Sequence, residues 1–283
     1  MDIRAINNLD AQELEVFSKL KEVQLYRFYE PEPGIFLAES GNVTLRALEA
    51  GYEPLSMLAE NEKFNKEALP ALKLIEKLYG KEKIDSFPVY TADHEIVEKL
   101  TGYALVKGLW TVFRRKRPEA VEVFCKDKKK LAVLFDVVNP TNVGAIIRSA
   151  AALGAEGVLL TKTSVDPLTR RASRVSMGTV FQVPWTVAGK EESSGILLID
   201  KLHSLGFKTV AMALTDNSRS IKDREIKEND KLAVILGNEG FGLPDEVINA
   251  CTYTVMIPMY NKVDSLNVAA ASAVAFWELF RKD

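Results

Sequence analysis

Hydrophobic and polar positions change their rhythm along the chain, most sharply after residue 130. Leu131 to Val138 is an apolar run of strand length broken only by Asp136, and a helix is expected from about Val143 to Leu153. Gly157 to Leu160 reads as a second strand. The alternation continues with a helix over Ser194 to Leu205 and strands over Lys208 to Leu214, Lys231 to Leu236 and Thr252 to Ile257. A closing helix over Ser265 to Arg281 is rich in small residues, Ala269 to Ala273 and Ala275, which let another backbone come close. Apolar strands alternating with helices predict an α/β fold with a parallel sheet covered on both faces. Such sheets bind ligands outside the carboxyl ends of their strands.

The first 113 residues read as a smaller, mixed α/β region. Leu9 to Phe28 has helical apolar spacing through Leu14, Phe17, Leu20 and Leu25; a strand signal spans Gly34 to Ala38, and Asn42 to Ala50 is helix-like. Between the two regions, the basic stretches Arg114 to Arg117 and Lys126 to Lys130 flank a short apolar piece, Ala120 to Phe124. A charged, proline-containing connector predicts a domain boundary, giving residues 1–113, a linker over 114–130, and residues 131–283.

Composition narrows the classes. With 283 residues and 47% hydrophobic content, the chain can bury two cores of ordinary domain size. No apolar run approaches the ~20 residues that span a bilayer, and the start Met1-Asp-Ile-Arg4 lacks a signal-peptide pattern, so a cytoplasmic location is expected. Cys125 and Cys251 have no second Cys or His at metal-ligand spacing and are expected to be reduced structural thiols, with no metal. His94 and His203 lack a partner motif. The net charge of −2 is unevenly spread: residues 1–113 carry 13 basic and 19 acidic side chains, residues 114–130 carry 8 and 3, and residues 131–283 carry 16 and 17. An RNA footprint would have to come from local patches, and the basic linker is either one of these or a solvated connector.

Three motifs carry the candidate chemistry, and all follow predicted strands. Asn139-Pro-Thr-Asn142 leads into a helix, where an Asn can cap free N–H groups and the helix start attracts anions. Gly144 permits close approach, and Arg148, six residues after Asn142, is either a surface arginine or part of a site. Gly237-Asn-Glu-Gly-Phe-Gly-Leu243 follows a strand and precedes Pro244, placed as the first residue of a helix. Its glycines permit positive φ and expose backbone groups to a ligand. It has neither the Gly-Lys-Ser/Thr nor the G-x-G-x-x-G pattern of a phosphate loop, which makes it a poor nucleotide-triphosphate site. The third motif runs from Ile257-Pro-Met259 to Ser265-Leu-Asn267, between the last strand and the last helix. Separately, Arg170, Arg171 and Arg174 lie in an Arg/Ser-rich stretch that either grips RNA phosphates or forms salt bridges around a helix.

Taken in this order, the three motifs resemble the TrmH/SpoU branch of the SPOUT methyltransferases, across roughly residues 131 to 283. The resemblance implies transfer of a methyl group from S-adenosylmethionine to a ribose 2′-hydroxyl of RNA, ribosomal RNA in preference to tRNA. It implies a carboxy-terminal trefoil knot and a homodimer whose active site borrows from the neighbouring subunit. Asn142, Arg148, Glu239, Ser265 and Asn267 match its active-site positions. Leu214, Gly237, Asn238, Gly242, Ile257, Met259 and Leu266 match the cofactor pocket, and Arg170, Arg171 and Arg174 the RNA-contacting segment. Glu239 is either catalytic or a structural acceptor for backbone N–H groups. Arg148 is expected to stabilise a developing alkoxide rather than act as a base, since a guanidinium with a pKa above ~12 does not readily lose its proton. The amino-terminal region resembles an L30e-like RNA-binding domain through Glu39-Ser-Gly41 and Lys107-Gly108. From another class, a non-catalytic RNA-binding or ribosome-assembly protein would keep the fold without binding the cofactor.

Overall fold

The computed structural model describes residues 2–6, 8–101, 108–261 and 263–281; Lys107 lies outside them. The chain folds as two compact units. Unit 1 comprises Met1–Arg117 with Leu168–Phe181, and unit 2 comprises Pro118–Pro167 with Gln182–Asp283.

Unit 1 holds a five-stranded sheet of β1 (Asp2–Ala5), β2 (Ile35–Glu39), β3 (Pro54–Glu60), β4 (Pro88–Ala92) and β5 (Leu109–Arg114), in the order β1-β4-β3-β5-β2. β1, β4 and β3 run parallel, whereas β5 is antiparallel to both neighbours. Helices α1 (Gly41–Glu49) and α2 (Leu69–Tyr79) belong to this unit. The expected helix over Leu9 to Phe28 is instead three short pieces, Gln12–Leu14, Glu15–Ser18 and Glu22–Tyr26. A new helix start intervenes at Lys21, whose N–H is held by Gln24 Oε1 at 2.9 Å. The apolar face survives the break, since Leu14, Phe17 and Leu25 are all buried with Ile35, Leu37 and Trp110.

Unit 1 also claims a segment that the sequence assigns to the larger domain. The helix Arg170–Val175 lies in residues 168–181, where Arg170 Nε pairs with Glu22 at 2.9 Å and Arg174 with Glu39 at 3.1 Å. Phe181 stacks on Phe36, and Arg46 donates to the Met177 carbonyl at 2.6 Å. Arg170 and Arg174 thus form the salt bridges that one of the two readings of the Arg/Ser-rich stretch expected, and Arg171 also has an interaction within the structure.

The linker is equally committed. Arg114 ends β5 and pairs with Glu53, Arg115 is buried with its Nε on the Ile35 carbonyl, Lys116 reaches the Ala50 carbonyl, and Arg117 pairs with Glu32. Its apolar piece is a helix, Val121–Cys125, whose Val121, Phe124 and Cys125 enter the core of unit 2.

Unit 2 is built on seven strands: β6 (Lys130–Leu134), β7 (Gly157–Leu160), β8 (Trp185–Val187), β9 (Lys208–Met212), β10 (Arg219–Ser220), β11 (Leu232–Leu236) and β12 (Tyr253–Met256). Their order is β10-β12-β9-β11-β6-β7-β8, and every pair is parallel. β6, β7 and β11 are apolar nearly throughout and buried, as strands covered on both faces must be, and β9 is buried over Thr209–Ala211. Besides Val121–Cys125 and a single turn at Arg224–Lys227, the helices are α3 (Pro140–Ala152), α4 (Gly195–Ser204), α5 (Asp245–Ala250) and α6 (Val268–Phe280). From β6 the chain steps outward through β7 and β8, then returns to β9 on the other side, so the topological switch lies beside β6 and β11. No helix among the described residues is long and apolar enough to cross a membrane.

Several boundaries in unit 2 differ from the sequence reading. β6 stops at Leu134, because Asp136 adopts φ +56 and turns the chain, with its N–H held by Thr161 Oγ1 at 2.9 Å. α3 begins at Pro140 and is capped by Asn139, whose side chain accepts from Thr141 N, so Asn142 is a helical residue rather than the cap. Pro244 is the residue before α5, in extended conformation, and Asn267 rather than Ser265 starts α6 as its cap.

Candidate active site at the strand ends

The carboxyl ends of β9, β11 and β12 open onto one cavity of about 650 Å³, within the size range of small-molecule sites. Met212, Ala213 and Leu214 line it from β9 onward; Leu236 to Gly240 and Gly242 line it after β11; Val255 to Met259 line it after β12. Val263 to Val268, with Ala271 of α6, close the remaining side. The seven predicted cofactor residues, Leu214, Gly237, Asn238, Gly242, Ile257, Met259 and Leu266, are all in this wall, as are Glu239, Ser265 and Asn267.

The loop after β11 is held shut by its own backbone. Asn238 N donates to Gly242 O and Gly242 N to Asn238 O, each at 3.0 Å. The Asn238 carboxamide completes the turn: Oδ1 accepts from Gly240 N at 2.8 Å and Phe241 N at 3.2 Å, while Nδ2 donates to the Asp136 carbonyl at 2.8 Å. Gly237 is required because a Cβ there would stand 2.6 Å from Gly242 C and 2.7 Å from Leu243 N. Gly242 takes φ +70, a conformation that favours glycine.

Behind this loop three side chains form a chain of hydrogen bonds. Glu239 Oε1 accepts from Asn142 Nδ2 at 2.9 Å and from Asn139 N at 3.1 Å, and Oε2 from Val138 N at 3.4 Å. Asn267 Nδ2 donates to Asn142 Oδ1 at 3.2 Å, while Asn267 Oδ1 caps α6 by accepting from Ala269 N. Burial raises the Glu239 carboxyl, but the hydrogen bonds from Asn142 and the backbone outweigh it, and the net shift is downward. Glu239 is therefore an ionised acceptor that joins the start of α3 to the pocket loop. Asn142 does not line the cavity. It is buried at 7% exposure and keeps one N–H and one lone pair beyond these bonds.

Arg148 is placed differently. Six residues along α3 carry it about 9 Å down the axis and about 240° round from Asn142, and its side chain is exposed. Among the described residues it forms no hydrogen bond or ion pair.

The sequence reading passed over Met212, Val255, Met256, Val263 and Asp264 in the wall; the first three are legible as the last residues of predicted strands. It also passed over Asp136, whose Oδ1 accepts from Thr161 Oγ1 at 2.8 Å and from Thr163, and whose signal is a lone carboxylate inside an apolar run. Among the described residues no His/Cys/Asp/Glu group is arranged to hold a metal ion. His94 sits on Glu60 and His203 on Thr209. The Cys125 and Cys251 thiols are both pushed up to about 11 by burial.

Known proteins share this architecture. The family described as SpoU rRNA Methylase matches residues 129–277. A 23S rRNA (adenosine(1067)-2'-O)-methyltransferase of Streptomyces azureus is 30% identical over 203 residues, 71% of this chain and 71% of that protein. An uncharacterized tRNA/rRNA methyltransferase of Mycobacterium bovis is 28% identical over 282 residues, 99% of this chain and 93% of that protein. Among solved structures, an AdoMet-bound rRNA methyltransferase from Sinorhizobium meliloti superposes with a TM-score of 0.77 at 21% identity, covering 98% of this chain and 97% of that one. The likeness to the solved structure is one of fold.

Proposed function

The chain belongs to the SpoU rRNA methylase family, and from that membership we propose that it transfers the methyl group of S-adenosylmethionine to a ribose 2′-hydroxyl of RNA. Ribosomal RNA is the proposed substrate in preference to tRNA, as for the Streptomyces azureus relative, and the cytoplasm is the proposed location.

The observation that carries this reading is the character of the cavity wall. Its described lining carries the carboxylates of Glu239 and Asp264 and no Lys, Arg or His. A triphosphate would meet like charge there, whereas a ligand with a cationic sulfonium and an ammonium group meets opposite charge. The apolar side chains of Leu214, Ile257, Met259 and Leu266 suit a flat heterocycle and exclude water from it. When bound, S-adenosylmethionine supplies an electrophilic methyl group.

The protein's part is to present and polarise the attacking hydroxyl. Asn142, buried outside the cavity wall, positions Glu239 and Asn267 through its two hydrogen bonds, and Asn267 and Ser265 bring polar groups to the wall that can orient the hydroxyl. Arg148 supplies fixed positive charge where the alkoxide develops. Its exposure, on the side of α3 away from its own Asn142, supports a homodimer in which each Arg148 serves the partner's cavity. A covering surface for that dimer is available on α6, where Ala270, Val274 and Trp277 are exposed at helical spacing.

The test is transfer of radiolabelled methyl from S-adenosylmethionine to unmodified ribosomal RNA and tRNA, with the label located by digestion. Label on ribosomal RNA at a linkage resistant to alkali is the expected result. Cofactor binding without label on either RNA points to an assembly intermediate as substrate, and absence of cofactor binding refutes the enzymatic reading.

A further inference from the structure

The lip of the cavity carries side chains that methyl transfer itself does not use. Phe241 is 96% exposed and Tyr260 85% exposed. Phe241 stands between Gly240 and Gly242, both in the cavity wall, and Tyr260 follows Met259, also in the wall. A phenyl ring this far from any core adds nothing to folding through burial. Nor does a loose loop explain it. Phe241 N is bonded to Asn238 Oδ1, and the Asn238–Gly242 pair closes the turn beneath, so the ring stands on a fixed backbone.

Among the described residues of the cavity wall and the first turn of α5, the side-chain charge is of one sign. Glu239 and Asp264 line the cavity, and Asp245 and Glu246 occupy the first turn of α5 immediately after the loop. These carboxylates repel phosphate, which disfavours an RNA backbone laid along them. The lip offers neutral aromatic faces instead, and those are what unpaired bases stack on.

We infer that Phe241, with Tyr260 as a second face, is a stacking platform for an unpaired base of the substrate RNA beside the target ribose. The strand then turns its base and sugar toward the cavity and its phosphates toward solvent. The substrate is a single-stranded loop or bulge, because the faces of bases within a helix are covered by their neighbours. This inference rests on the proposed methyl transfer to RNA.

Two probes test it: unmodified ribosomal RNA in the methylation assay, and a single-stranded oligoribonucleotide carrying 2-aminopurine, whose fluorescence is quenched on stacking. Phe241→Ala is expected to raise KM for the RNA on the order of tenfold and to weaken the quenching, with S-adenosylmethionine affinity by calorimetry as in the wild type. Phe241→Trp is expected to restore KM, and a fully paired duplex of the same sequence is expected to compete poorly with the single strand. A wild-type protein that neither binds S-adenosylmethionine nor methylates RNA refutes the methyl-transfer reading. A wild-type protein that does methylate, with KM and quenching unchanged in Phe241→Ala and in Phe241→Ala/Tyr260→Ala, overturns the platform alone. So does a change of oligomeric state in Phe241→Ala by sedimentation, which would assign the lip to a second copy of the chain, and so does equal competition by the duplex.

Discussion

Replacing Gly237 by Ala isolates the cofactor wall from the rest of the fold. The added Cβ would stand 2.6 Å from Gly242 C, 2.7 Å from Gly242 O and 2.7 Å from Leu243 N. That is roughly 1 Å inside the favourable separation of nonbonded atoms, and all three are backbone atoms that no rotamer change can move. The turn must open, breaking the two Asn238–Gly242 hydrogen bonds. At about 0.5–1.5 kcal/mol each, their loss costs about 1–3 kcal/mol, or a fall in Tm of roughly 2–12 °C for a unit of this size. The wall itself moves, so S-adenosylmethionine binding measured by calorimetry should fall at least tenfold. Gly240→Ala is the control: its Cβ would lie 3.4 Å from Asn238 Oδ1, which demands at most a slight adjustment, and both Tm and binding should stay near wild type. Wild-type affinity in Gly237→Ala, or equal damage in both variants, would sink the argument that closure of this turn builds the pocket.

Three further outcomes follow from the site. Asn142→Ala removes a donor from Glu239 and an acceptor from Asn267, and methyl transfer should drop on the order of a hundredfold; Asn142→Asp should be worse, since it sets a second carboxylate against an ionised one. Glu239 has its folded pKa below the ordinary 4.5, so its stabilising contribution is fully present above that value and is lost as pH falls through the lower folded one. Cofactor affinity by calorimetry should therefore hold between pH 8 and pH 5 and decline only below about 4.5, and Glu239→Gln should flatten that acid limb. Finally, if Arg148 serves the partner's cavity, Arg148→Ala and Gly237→Ala subunits, each inactive alone, should recover about a quarter of wild-type activity on random mixing, because half the dimers are mixed and each has one intact site. No recovery would return Arg148 to its own protomer.

Much of unit 2 is legible because parallel strands buried on both faces write themselves as unbroken apolar runs. The neighbourhood of the ends of β9, β11 and β12 is therefore readable, while the particular residues expected in the cavity wall come from the resemblance of the three motifs to a family. What escaped reading depended on partners far off in sequence. Nothing local tells Arg170 that its carboxylate is Glu22, or Arg174 that its own is Glu39, so the segment's place in unit 1 was hidden. The cap of α3 is open in the sequence for a nearer reason: either asparagine could serve, and Pro140 at the first turn decides for Asn139. That shift matters to the site, because an Asn142 engaged in capping would not be free to bond Glu239 and Asn267.

The turn under Phe241 draws its rigidity from backbone bonds and from Asn238, and none of it from the ring above. Position 241 is thus decoupled from the folding of the pocket, and a wide range of side chains can occupy it without penalty to the cofactor wall. Such a position can change without disturbing its neighbours Gly237, Asn238 and Gly242. A saturation library across residues 237 to 243, scored by stability and cofactor binding, should show tolerance at 241 beside intolerance at 237, 238 and 242, a place where selectivity for partners can be retuned over generations without rebuilding the enzyme.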